Sequence, residues 1–212
     1  RGHEIVLKKS RQDNFDGLEN ADVAIDFSIP ESAVQNISAC INANIPVISG
    51  TTGWLDQYNE IVDLVQQKNG AFIYGSNFSL GVNIFFQLNE NLAKMMANLK
   101  EYNVAIEEIH HTQKLDAPSG TAISLAEGII SNSNYNKWTM DTPTEDQIQI
   151  EAKRIGTVPG THIITYQSEV DTIKIEHEAH SREGFALGSV VAAEWLLGKK
   201  GIFTMKDVLN LK

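Results

Sequence analysis

The densest chemistry in this sequence lies in one run, Glu107-Glu108-Ile109-His110-His111-Thr112-Gln113-Lys114-Leu115-Asp116-Ala117-Pro118-Ser119-Gly120-Thr121-Ala122. Two imidazoles and an ammonium come first. Pro118 and Ser119 then have the form of a helix start, with Ile123, Ala126, Ile129 and Ile130 following at helical spacing. A helix N-terminus presents unpaired N–H groups and the positive end of the peptide dipoles, so Ser119, Gly120 and Thr121 offer a seat for an anion. Gly120 lets that anion approach the backbone closely. With His110, His111 and Lys114 beside it, the pocket suits a small carboxylate or phosphate and carries groups that move protons near neutral pH. Two other readings stay open on spacing alone. Histidines adjacent on a strand end point to opposite faces and are often structural or solvated, and a metal site would need a third ligand.

Elsewhere the side chains with chemical potential are weaker candidates. His177 and His180 are three apart on an expected strand and so face opposite ways; with His162 they read as structural or solvated, and no metal is assigned. Trp54 and Trp195 read as packing, and Met95-Met96 as core filling.

Such a site needs a scaffold, and the first third of the chain repeats one. Short apolar runs, 4–7, 23–27, 46–48 and 71–74, each give way to small polar residues: Lys8-Lys9-Ser10, Ser28, Ser49-Gly50-Thr51-Thr52-Gly53 and Gly75-Ser76-Asn77. Between them, 31–43 and 55–67 carry apolar residues on one helical face. Strands alternating with helices of that length indicate βαβ units and a parallel sheet, whose ligands sit at the carboxyl ends of the strands. From Leu80 the pattern changes. Val82, Phe85, Leu88, Leu92, Met95 and Leu99 mark a long amphipathic helix, and 104–109, 147–155, 161–167 and 172–180 read as strands, the last three as antiparallel neighbours. Residues 131–146 read as a surface loop and 186–197 as a buried helix that returns to the first unit. The expected fold is α/β, a Rossmann-like parallel sheet followed by an α+β domain. The expected boundaries are 1–79, 80–182 and 183–212.

Composition excludes several classes of function. The 212 residues hold 17 Lys and Arg against 27 Asp and Glu, a net charge of −10, so nucleic acid is not an expected partner. No run approaches the roughly 18 apolar residues of a membrane span. Cys40 is the only cysteine, and the chain opens on Arg1-Gly2-His3-Glu4 with no apolar leader, so a cytoplasmic location is expected.

The run His110-His111-x-x-Lys114-x-Asp116-Ala117-Pro118-Ser119-Gly120-Thr121-Ala122 resembles the signature of the 4-hydroxy-tetrahydrodipicolinate (dihydrodipicolinate) reductase family. The resemblance extends over the chain, through Ile25-Asp26-Phe27-Ser28, Gly50-Thr51-Thr52-Gly53, Ser76-Asn77-Phe78-Ser79-Leu80-Gly81-Val82-Asn83, the Arg154 to His162 turn, Ser181-Arg182 and Met205-Lys206-Asp207-Val208-Leu209. It implies NAD(P)H-dependent reduction of a small cyclic dicarboxylate in lysine and diaminopimelate biosynthesis, by a homotetramer. It implies His110 and Lys114 as the proton-handling residues, and His111, Lys114, Ser119, Gly120 and Thr121 as substrate contacts. Ser28, Gly50, Thr51, Thr52, Gly75, Ser76, Asn77 and Phe78 correspond to cofactor contacts. The family's opening strand and Gly-rich pyrophosphate loop are not found in this sequence and are expected before Arg1. Lys8 and Lys9 stand where a Rossmann fold meets the adenosine ribose, so NADPH is expected to be at least tolerated alongside NADH. The rival readings are a non-catalytic sensor using the same anion pocket and a metal-dependent hydrolase.

Overall fold

In the computed structural model, residues 1–211 are described, and the chain divides into two compact units, 1–80 with 185–212, and 81–184.

The first unit is a parallel sheet with helices on both faces. Its elements run β1 (Ala24–Asp26), α1 (Pro30–Asn42), β2 (Val47–Ser49), α2 (Tyr58–Lys68) and β3 (Ala71–Tyr74), and the chain later returns as α5 (Glu183–Leu196), β9 (Gly201–Phe203) and α6 (Met205–Val208). Strand order is β1-β2-β3-β9, every pair parallel. The central strands β2 and β3 are buried on both faces, which is why they read as unbroken apolar runs. Val47 and Phe72 pack with Ala33, Ile37 and Ile61 on one side. Ile48 and Ile73 pack with Ala192, Leu196 and Met205 on the other. Pro30 at the first turn starts α1, and Asn69 in the left-handed region (φ 50°) ends α2.

The second unit is a mixed sheet with helices on one face. It comprises α3 (Leu80–Met96), most of which lies in this unit, then β4 (Asn103–His110), α4 (Gly120–Ile130), β5 (Lys137–Thr139), β6 (Gln147–Arg154), β7 (Thr161–Gln167) and β8 (Thr172–Glu178). The order is β5-β6-β4-β7-β8. β5, β6 and β4 are parallel, whereas β7 and β8 run antiparallel. Phe85, Ala93 and Met96 of α3 and Ala122, Leu125, Ala126 and Ile129 of α4 pack onto Val104, Ile106, Ile148, Ile150, Ile164 and Tyr166. Each such Val, Leu, Ile, Phe or Met side chain stabilises the unit by roughly 1.5–3 kcal/mol relative to exposure.

Four sequence expectations fail here. Residues 4–7 form no strand; Ile5 is 80% exposed, and the run lies alongside a groove rather than in a ladder. Residues 131–146 are not all loop, since β5 adds to the edge of β6. β6 and β7 are not neighbours, because β4 lies between them, and only β7 and β8 form the expected hairpin. On α3 and beyond, Leu88, Met95 and Leu99 are exposed while Gln87 and Asn89 are buried. The buried Asn89 donates to the Leu125 carbonyl at 2.9 Å and ties α3 to α4.

Candidate active site

In the second unit the site grows from the end of β4. Alternation puts Val104, Ile106, Glu108 and His110 on the buried face, so two aliphatic residues are followed by a carboxylate and an imidazole. Glu108 is fully buried. Its Oε1 accepts from the Ser119 backbone N–H at 3.0 Å and from Arg154 Nη2 at 3.1 Å. Its Oε2 lies 3.4 Å from His110 Nδ1 and 3.7 Å from His162 Nε2. Burial alone would push this carboxyl up; the facing His110 imidazole and the hydrogen bonds from Ser119 and Arg154 outweigh it and hold the group at about 2. For His162 burial dominates, with the neighbouring His110 adding to it, and lowers the imidazole to about 4, so the ring is neutral.

Arg154 comes from the end of β6, paired in register with His110. Besides Glu108 it binds the carbonyls of Lys114 and Asp116, so one guanidinium fixes the loop that carries Lys114 to the sheet. Ser119 caps α4, its Oγ accepting from the Ala122 N–H at 3.2 Å and meeting His162 Nε2 at 3.2 Å. Nothing lies within 4 Å of the point where a Cβ on Gly120 would sit, which leaves the helix start open to a ligand. Lys114 Nζ donates to both carboxylate oxygens of Asp116, at 2.8 and 2.7 Å, and that bond lowers the Asp116 carboxyl. His111 faces the other way from His110, with its Nε2 3.0 Å from Arg182 Nη2, beside a cavity of about 330 Å³ bordered by Gln113 and Thr157.

A different network organises the strand ends of the first unit. Asp26, buried at the end of β1, accepts from Ser49 Oγ and Thr51 Oγ1 at 2.8 Å and from Asn36 Nδ2 at 2.9 Å. Thr51 then accepts from the Ser28 N–H at 2.8 Å, and its carbonyl takes the indole N–H of the buried Trp54 at 2.7 Å. Gly75 N–H binds the Ser49 carbonyl at 3.1 Å, joining the third strand end to the second. A Cβ at Gly50 would lie 2.1 Å from the Phe27 ring, and that ring meets Phe78 edge-on at 5.8 Å. Thr52 and Ser76 are exposed and Asn77 half-buried at the same ends. Lys9 lies over the Phe15 ring and, with Ser10, Arg11 and Ser28, borders a groove of about 480 Å³; Lys8 is exposed nearby in sequence.

Several of these residues carried no signal of their own in the sequence. Glu108 and Asp26 read as ordinary strand residues, and Arg154 stood out only within the resemblance. A charged residue at a buried position of an alternating strand was the available clue. Glu108, His110 and His162 bring donor atoms within 4.8 Å of one another, a spacing an ion could bridge. Arg154 already sets a fixed cation on the same carboxylate, so the group reads as a charge-coupled hydrogen-bonding set.

A Rossmann-like unit joined to an α+β unit that pairs an anion-binding helix start with proton-carrying side chains is the arrangement of a dinucleotide-dependent oxidoreductase. Comparison with known proteins narrows that class. Family models described as dihydrodipicolinate reductase match at 3–78, the N-terminal part, and at 81–209, the C-terminal part. The chain is 56% identical to 4-hydroxy-tetrahydrodipicolinate reductase of Christiangramia forsetii, over 99% of this chain and 89% of that protein. It is 36% identical to the Methanosarcina barkeri protein of that name, over 98% of this chain and 77% of the other. Among solved structures, dipicolinate-bound dihydrodipicolinate reductase from Paenisporosarcina sp. TG-14 shares the fold at a TM-score of 0.71 and 24% identity, covering 87% of this chain and 72% of that one. The chain belongs to the dihydrodipicolinate reductase family.

Proposed function

We propose that this chain reduces 4-hydroxy-tetrahydrodipicolinate to tetrahydrodipicolinate with NAD(P)H, a step of lysine and diaminopimelate biosynthesis. The observation that carries the reading is that the family match spans both units, one ending its strands in a cross-linked set of small polar residues and the other holding His110 and Lys114 beside an open helix start. The assay is substrate-dependent loss of NADPH absorbance. Absence of turnover with freshly made substrate would leave the sensor reading in its place.

When bound, the cofactor supplies hydride, and the protein contributes orientation and charge. The residues present fit it. Gly50 and Gly75 let the Phe27 and Phe78 rings close onto the strand ends, where Ser28, Thr51, Thr52, Ser76 and Asn77 offer polar contacts. Lys8 and Lys9 favour a 2′-phosphate, so NADPH is preferred over NADH. Replacing both with Ala is expected to raise KM for NADPH and leave that for NADH nearly unchanged; equal loss with both cofactors would remove the preference argument.

In the second unit Gly120 and Thr121 N–H groups, the Ser119 cap and His111 hold the substrate carboxylates. Hydride arrival leaves the ring electron-rich, and an acid within about 3 Å of the receiving atom must quench it. Lys114 is that acid, offsetting charge as it donates, and His110 holds and returns the proton. A homotetramer and a cytoplasmic location complete the proposal. The exposed edge strand β8 supports the first, since a long open strand edge invites a partner, and light scattering measures it. A single buried cysteine supports the second.

A further inference from the structure

Glu108 is a carboxylate on a strand face where its neighbours Val104 and Ile106 belong to the apolar core. Burying a charge there is costly unless it is fully paired, yet the pairing is uneven. Oε1 is saturated by Ser119 and Arg154. Oε2 makes no aligned hydrogen bond, and neither does Nδ1 of the buried His110, although the two atoms face each other at 3.4 Å. Two buried polar atoms of complementary character, left unmatched at that distance, need an explanation. One is at hand if the contact tightens when the imidazole takes charge. On its other edge, His110 Nε2 lies close against Gly160, where an added Cβ would sit 3.1 Å from it and push on the ring.

We propose that Glu108 is a positioning residue for His110: its Oε2 accepts the Nδ1–H, which fixes the ring tautomer and leaves Nε2 as the nitrogen that takes up and returns the proton. This rests on the reading of His110 as a proton carrier. The proton on Nδ1 stays there throughout, and only the Nε2–H bond forms and breaks. The carboxylate holds the ring in one orientation, as an orienting acid does in other proton-transfer sites. The remaining charged and titratable groups around the ring are Arg154 on β6, His162 on β7 at a ring-centroid distance of 5.1 Å, and Lys114 on the following loop. Arg154 binds the far oxygen of Glu108, and His162 is neutral, so neither replaces Oε2 as the counter-charge of Nδ1.

The test compares wild type, Glu108→Gln, His110→Gln and the double variant, by pH dependence of kcat/KM and by nitrogen chemical shifts of the His110 ring. Glu108→Gln is expected to lower turnover at neutral pH tenfold or more and to move the alkaline limb down by roughly one pH unit, with KM for NADPH held within about twofold. In the His110→Gln background the same substitution should leave the limb where it is. The wild-type ring should carry its neutral-form proton on Nδ1, and this measurement stands even if Glu108→Gln fails to fold or the wild type proves not to reduce the substrate. A ring protonated on Nε2 alone, or a Glu108→Gln enzyme that loses stability while keeping the wild-type pH profile, would overturn the proposal and leave Glu108 as a counter-ion for Arg154.

Discussion

Both units anchor their strand ends on a buried carboxylate, but the partners differ in kind. Asp26 is held by two hydroxyls and an amide, none of which changes charge near neutral pH. Glu108 is held by a guanidinium and a backbone N–H and faces two imidazoles. Neutral donors fix a geometry, which suits the holding of a ligand. Ionisable partners make the geometry depend on where protons are, which suits their transfer. The contrast predicts that substitutions in the first unit act on cofactor affinity and those in the second on turnover and pH dependence.

The largest effect expected on this division is at Lys114. Lys114→Ala should lower kcat by roughly two to four orders of magnitude, the span for losing a positioned acid, with NADPH affinity little changed. A variant that keeps kcat and loses only substrate affinity would make Lys114 a carboxylate clamp, and the acid would be His110 or water.

Proton-coupled geometry should also appear in stability. His162 is lowered to about 4 by burial, so the folded protein binds fewer protons than the unfolded chain between that value and the ordinary imidazole range. Stability is therefore full above about pH 6.5 and falls as the pH drops towards 4, by up to roughly 3 kcal/mol. His162→Gln should flatten that part of the curve in urea titrations at stepped pH. An unchanged acid slope would mean that other groups cause it.

Much of this was legible from residue types. The strand-helix alternation of the first unit and the α4 start at Ser119 followed from periodicity and helix-start chemistry, because those signals are local. The insertion of β4 between β6 and β7 was not legible, since pairing partners far apart in sequence leave no local trace. Residues 4–7 have the composition of a strand without a ladder, and composition cannot distinguish the two. Asp26, Glu108 and Arg154 were hidden for a related reason: a charge at a strand end gains meaning only when its partners, from other parts of the chain, are known.

A smaller effect tests the first unit. Asp26→Asn keeps the shape but turns one carboxylate oxygen into a donor facing the Ser49 or Thr51 hydroxyls or the Asn36 amide. Losing one or two such bonds should weaken NADPH binding by about 1–2 kcal/mol, roughly 5- to 30-fold, with the alkaline limb unmoved. A shifted pH profile in this variant would erase the distinction between the units.

The smallest expected effect concerns the contact between Lys114 and Asp116, which lies in the second unit but is exposed. Both oxygens of Asp116 hold the ammonium, the same pairing a substrate carboxylate would offer. A dicarboxylate arriving at Lys114 must share or displace this internal partner. Exposed pairs contribute only about 0.2–1 kcal/mol, so Asp116→Asn should lower the substrate KM by no more than a few-fold and leave kcat near wild type. Because the pair is screened, the difference between variant and wild type should shrink as salt rises. If KM instead increases at every ionic strength, Asp116 orients Lys114 for the substrate rather than competing with it. The second unit would then contain a second carboxylate that fixes geometry for a cation, this one at the surface.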